Sequence, residues 1–164
     1  VSPTFLLLQP LDVASGYSDV ITSVFSTAVA GKAWLATIAF ALALVQVTTG
    51  ARVFGKLSGV LPFGPSTAAV VHRWSGRLAV LVTLPIVFHC ITILGFQTVD
   101  ARVAIHSVVG SFLYGFLAVK LLVLKDHRFP GWALPVFGGT LFAALMVLWL
   151  TSSLWYFTEV DFGF

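Results

Sequence analysis

The sequence predicts an all-α fold: an integral membrane four-helix bundle preceded by a short N-terminal interfacial helix. Three observations carry that expectation. Of 164 residues, 59% are hydrophobic and only 9% charged, with a mean hydropathy of +1.02; a soluble domain carries about 25% charged residues. Apolar stretches long enough to cross a bilayer alternate with polar loops rich in glycine and proline. The basic residues cluster in alternate loops, as topology signals do, and form no nucleic-acid patch.

Residues 1–16 contain prolines, Asp12 and Gly16, and their FLLL run is too short to span. Ser18 or Asp19 is a candidate cap for a short helix. Val20, Ile21, Val24, Phe25, Ala28 and Val29 then recur at helical spacing. This segment is read as interfacial, with extension of the first span past Lys32 as the alternative. Residues 1–31 thus form an N-terminal extracytoplasmic or interfacial segment, and 32–164 the membrane domain. The N-terminus lacks a basic n-region, so a cleavable signal peptide is not expected.

The first span runs from about Ala33 to Thr49. Gly50 to Pro65 is a loop carrying Arg52 and Lys56. The second span covers roughly Ala68–Leu94 and the third Ala101–Leu124, joined by GFQTVDAR, where Gly95 is a candidate helix stop and Asp100 a candidate N-cap. KDHRFPG separates the third span from a fourth at about Trp132–Phe157. Trp34, Trp74, Trp132, Trp155 and Tyr156 fall near span ends, as an aromatic belt requires.

Four spans place both termini on one side. One side carries Arg52, Lys56, Arg73, Arg77, Lys120, Lys125 and Arg128; the other carries only Lys32 and Arg102 among basic residues, with Asp12, Asp19, Asp100, Glu159 and Asp161. The positive-inside rule then puts the 50–67 and 125–131 loops in the cytoplasm and both termini outside a plasma membrane.

Histidine inside a hydrocarbon span is costly and marks a functional site. His89 lies near the end of the second span and His106 near the start of the third, each about six residues, or roughly 8 Å, inside its helix end. Antiparallel helices bring them to matched depth, where two neutral imidazoles can ligate the iron of a b-type haem. Zinc would need further Cys, His or carboxylate ligands at that depth; two imidazoles suffice for haem iron. The lone Cys90 excludes both an internal disulfide and C-x-x-C-H attachment, so the haem would be non-covalent. Gly110, one turn from His106, would let a flat macrocycle approach the backbone. Pro85 removes a backbone bond and should kink the helix before His89. Phe88, Phe112, Tyr114 and Phe116 are candidate walls. Arg102, one turn nearer the water than His106, suits a haem propionate; the alternative is a helix-end arginine that snorkels to headgroups or pairs with Asp100.

His72 is 17 residues from His89, about 25 Å along the axis, too far to share a metal. A second haem between His72 and His127 is the alternative to one haem, but His127 lies in a charged loop. His72, with Arg73 and Arg77, is read as meeting lipid phosphates, a partner or a quinone headgroup.

HRWSGR and FHC in the second span, IHSVVG in the third and FPGWALP before the fourth resemble small actinobacterial four-helix membrane proteins of unknown function. More loosely, they are similar to ferric-reductase-like and ascorbate-reducible b-type cytochromes. The resemblance covers about residues 68–157. It implies haem ligation by His89 and His106 and electron exchange with an extracytoplasmic redox protein such as a Rieske iron–sulfur protein. The first and fourth spans lack histidine, unlike two-haem cytochromes. The expected function is that of an electron-transfer subunit with one bis-histidine haem b inside a larger membrane redox complex, not an enzyme by itself. The alternatives are a quinone-binding membrane anchor and a cofactor-free structural subunit.

Overall fold

A computed structural model describes residues 10–57, 59, 62–126 and 128–160. The described residues form helices joined by loops, with no strand among them. α1 is Pro10–Thr22, α2 Ala28–Val53, α3 Pro65–His89, α4 Ala101–Lys125, α5 Ala133–Trp149 and α6 Trp155–Glu159. A π-helical turn, Cys90–Leu94, extends α3, and a second, Leu150–Leu154, joins α5 to α6. Four segments have the length and hydropathy of membrane spans: Ala28–Val53, Pro65–Leu94, Ala101–Lys125 and Ala133–Glu159. The chain is therefore a multi-pass membrane protein by composition and length.

Local chemistry sets the boundaries. Thr27 is extended, and its hydroxyl accepts from the Ala30 N–H at 3.0 Å, which satisfies one of the donors a helix start leaves free. The first span consequently begins at Ala28 and includes Lys32, against the shorter start at Ala33 expected from sequence. α1 ends at Thr22, and Ser18 and Asp19 lie inside it instead of capping it. Pro65 opens α3 at a position where its missing N–H costs nothing. Gly95, at φ +66°, closes the π turn by donating to the Cys90 carbonyl at 2.9 Å. Asp100 caps α4 by accepting from the Val103 N–H at 2.8 Å. The last two match the expected stop and cap.

The packing is that of a membrane bundle, with small residues inside and bulky apolar ones outside. Ala30, Gly31, Ala33, Ala39, Ala43 and Thr49 are the buried residues of α2, whereas Phe112, Leu121, Leu122 and Leu124 of α4 are exposed. Small side chains let helix backbones approach, and hydroxyls then bond across the interface. Ser153, the largest fully buried side chain, donates to the Ala33 carbonyl at 2.9 Å. Trp149 donates from Nε1 to Thr37 Oγ1 at 3.0 Å and stacks on Phe40 at 5.0 Å.

The helices form an arc. α2 packs along α3 and also against α5, and α5 packs against α4. α3 and α4, which the sequence pairs as a hairpin, do not pack along their length. Where their side chains do meet, Thr83 Oγ1 and Tyr114 OH lie 2.8 Å apart. The space this leaves positions the site.

Candidate cofactor cavity

A cavity of about 820 Å³ lies between α2, α3, α4 and α5. This is within the range of sites for small-molecule cofactors. Its α3 wall is the stripe Thr83, Ile86, Val87, Cys90, Ile91 and Leu94, recurring every three or four residues as one helix face does. α4 contributes Arg102, His106, Gly110 and Tyr114, and α2 contributes Lys32. The far wall carries the aromatic rings of Trp149, Trp155 and Tyr156. Both π turns border the cavity, through Cys90, Ile91 and Leu94 on one side and Thr151 and Ser152 on the other. Single π turns inside α-helices concentrate at functional sites because they re-aim side chains and backbone carbonyls.

Thr151 organises the α4 side. Its carbonyl accepts from Arg102 Nη1 at 2.7 Å. Its Oγ1 lies 2.7 Å from the Val147 carbonyl and 2.9 Å from His106 Nδ1. A hydroxyl has one proton. Given to Val147, it leaves the oxygen to accept from His106 Nδ1–H. His106 then carries its lone pair on Nε2, the tautomer of a metal-ligating histidine whose other nitrogen is anchored. Arg102 is further engaged: Nη2 lies 3.8 Å from Asp100 Oδ2, and Cζ sits 4.1 Å over the Trp155 ring.

His89 is placed differently. It is buried but falls off the α3 stripe and is not among the lining residues. Its Nδ1 lies 3.3 Å from Lys32 Nζ. An ammonium group only donates, so Nδ1 accepts and the proton belongs on Nε2. The Tyr17 ring of α1 packs on the His89 ring at 4.6 Å and on Phe88 at 6.2 Å. The Tyr17 hydroxyl is buried without a hydrogen-bond partner, and burial, helped by Cys90 nearby, pushes its pKa above the ordinary tyrosine value.

Of the residues singled out from sequence, the structure brings His106, Arg102, Gly110 and Tyr114 to one cavity. His89 joins them only through Lys32. A Cβ on Gly110 would meet Leu148 Cδ2 at 3.6 Å, an ordinary contact, so Gly110 widens the cavity beyond what packing demands. Phe88 and Phe112 are exposed, and Phe112 pairs with Phe116. His72 lies in another part of α3. Its Nδ1 is 3.1 Å from both the Gln46 carbonyl and Thr49 Oγ1, while the Gln46 amide donates back to the His72 carbonyl and to Ser75 Oγ at 2.7 Å. That polar seam ties α2 to α3. Arg73 is exposed, and Arg77 lies 5.0 Å over Trp74. His127 lies outside the described residues.

Lys32 and Thr151 are site residues that sequence reasoning missed. Their signals were a lysine inside an unbroken apolar helix pattern and the polar TSS run at 151–153 in the fourth span. No curated protein and no solved structure matches the chain. Residues 12–164 match a family model described as a family of unknown function (DUF6529), and the chain belongs to that family.

Proposed function

We propose that the cavity holds one haem b and that the protein is an electron-transfer subunit of a larger membrane redox complex. The observation that carries this reading is the placement of His106 on the wall of a cavity of suitable size with Nδ1 2.9 Å from Thr151 Oγ1, a contact that, with the proton on Nδ1, leaves the Nε2 lone pair to ligate a metal. Bound haem supplies one-electron chemistry, and the protein sets its potential through axial ligation and burial. His106 would hold the iron from the cavity wall. His89 would supply the second imidazole; to ligate through Nε2 it would give up Lys32 and carry its proton on Nδ1. Lys32 and Arg102 provide cations at the same site. The basic-residue bias supports cytoplasmic loops at 50–67 and 125–131 and extracytoplasmic termini in a plasma membrane, so that the haem faces an outer partner such as a Rieske iron–sulfur protein.

The test is the absorption spectrum of the protein purified from haem-replete cells. A low-spin haem signal in the wild type, lost in His106→Ala and converted to high spin in His89→Ala, is the expected result. Unchanged low-spin haem in His106→Ala would end the assignment. The gap between α3 and α4 also favours a second reading, a lipid-soluble quinone with its headgroup at His106 and Arg102. Quinone that co-purifies with wild type in place of haem and is lost in His106→Ala would select it.

A further inference from the structure

We infer that Lys32 is the cavity's carboxylate-binding residue: it waits on His89 when no ligand is bound and pairs with a haem propionate when one is. This rests on the haem reading and assigns a residue to one end of the ligand.

Two cations, Lys32 and Arg102, line the cavity beside His106. Arg102 already has partners: the Thr151 carbonyl at 2.7 Å, the Asp100 carboxylate at 3.8 Å and the Trp155 ring at 4.1 Å. Lys32 has none of these. Its polar contact is the uncharged imidazole of His89, and among the described residues no carboxylate lies within ion-pair distance of it. A lysine inside a membrane span is costly unless it pairs, snorkels or faces a polar ligand. Its ammonium turns inward and does not snorkel: Nζ lies 3.3 Å from His89 Nδ1, and Lys32 lines the cavity wall. The remaining way to offset the charge is an anionic group brought by the ligand. Haem carries two such groups, and a carboxylate that takes Lys32 also releases His89 Nδ1. One movement thereby satisfies the ligand's anion and frees the second imidazole.

The experiment compares haem b with its dimethyl ester, which keeps the iron and the ring but has no free carboxylate. Both are titrated by absorption into haem-free protein in nanodiscs, for wild type, Lys32→Met and Lys32→Arg. A hydrogen bond to a charged group contributes about 1.5–3 kcal/mol, roughly tenfold to a hundredfold in affinity. Wild type should prefer the free acid by at least about tenfold, Lys32→Met should lose most of that preference, and Lys32→Arg should retain it. The ester should also give a smaller low-spin fraction with wild type than with Lys32→Met, because in wild type Lys32 stays on His89. Equal acid preference in wild type and Lys32→Met overturns the role of Lys32 while leaving the haem reading intact. Failure of both porphyrins to bind wild type overturns the haem reading and this inference with it.

Discussion

Replacing Thr151 by valine keeps the shape of the side chain and removes one oxygen. That oxygen lies 2.9 Å from His106 Nδ1. In Thr151→Val the imidazole N–H faces a methyl group, and a buried donor left unmade costs about 1–3 kcal/mol. Removal of the partner that orients a ligating histidine typically weakens binding by about 10–100-fold, the same range when converted at about 1.4 kcal/mol per factor of ten. The loss should appear as weaker haem binding, because the unbound imidazole can turn away and the bound one cannot. The Thr151 carbonyl is untouched, so Arg102 keeps its 2.7 Å contact and the α4–α5 interface keeps its register. A second consequence concerns the potential. An Nδ1–H that donates makes Nε2 a stronger electron donor, which favours ferric iron. Thr151→Val should therefore raise the midpoint potential, and Thr151→Ser should leave both quantities near wild type. Absorption titration gives the affinity and a redox titration the midpoint. A Thr151→Val protein with wild-type haem affinity and midpoint would refute the tautomer argument.

Three further outcomes follow from parts of the chain outside the cavity. A cysteine at Lys56, in a Cys90→Ser background, should resist a membrane-impermeant maleimide added to intact cells and react after permeabilisation, because the proposed topology puts the 50–67 loop in the cytoplasm; ready labelling from outside would invert that topology. Tyr17→Phe should tighten the docking of α1 by about 1 kcal/mol, since it removes a buried hydroxyl that has no partner. The same residue makes docking pH-dependent: its folded pKa is raised above the ordinary 10.0, so its contribution is fully present below that value and is lost as pH rises through the folded pKa. Protection of the α1 amides, taken relative to the intrinsic base-catalysed exchange rate, should fall at high pH in wild type and much less in Tyr17→Phe; identical protection profiles would show that this hydroxyl does not set α1 docking.

The spans and the caps at Gly95 and Asp100 were legible because they depend on local chemistry: hydropathy over some twenty residues, a left-handed glycine, an extended aspartate. His106 and Arg102 were legible as a pair because i and i+4 share a helix face. The orientation of His89 was not. It depends on how α3 rotates against α2, and that rotation is set by buried alanines and by the polar seam of Gln46, Thr49, His72 and Ser75, none of which changes the period of the sequence pattern. The separation of α3 from α4 was hidden for a similar reason. A short loop suggests that neighbours in sequence pack together, but tight packing here joins α2 to α3 and α4 to α5. The π turns had no sequence signature beyond small polar residues in an apolar run.

That pairing has a consequence for biogenesis. As the ribosome delivers the chain, α2 and α3 can settle as one hairpin, held by the seam at Gln46 and His72, before the second pair is made. α4 and α5 follow as another. The chamber between them exists only once the α5 end reaches α2, where Ser153 bonds to the Ala33 carbonyl and Trp149 to Thr37. The end of α5 and the π turn after it therefore complete the chamber, and a chain lacking residues 149–153 has neither the latch nor the threonine that meets His106.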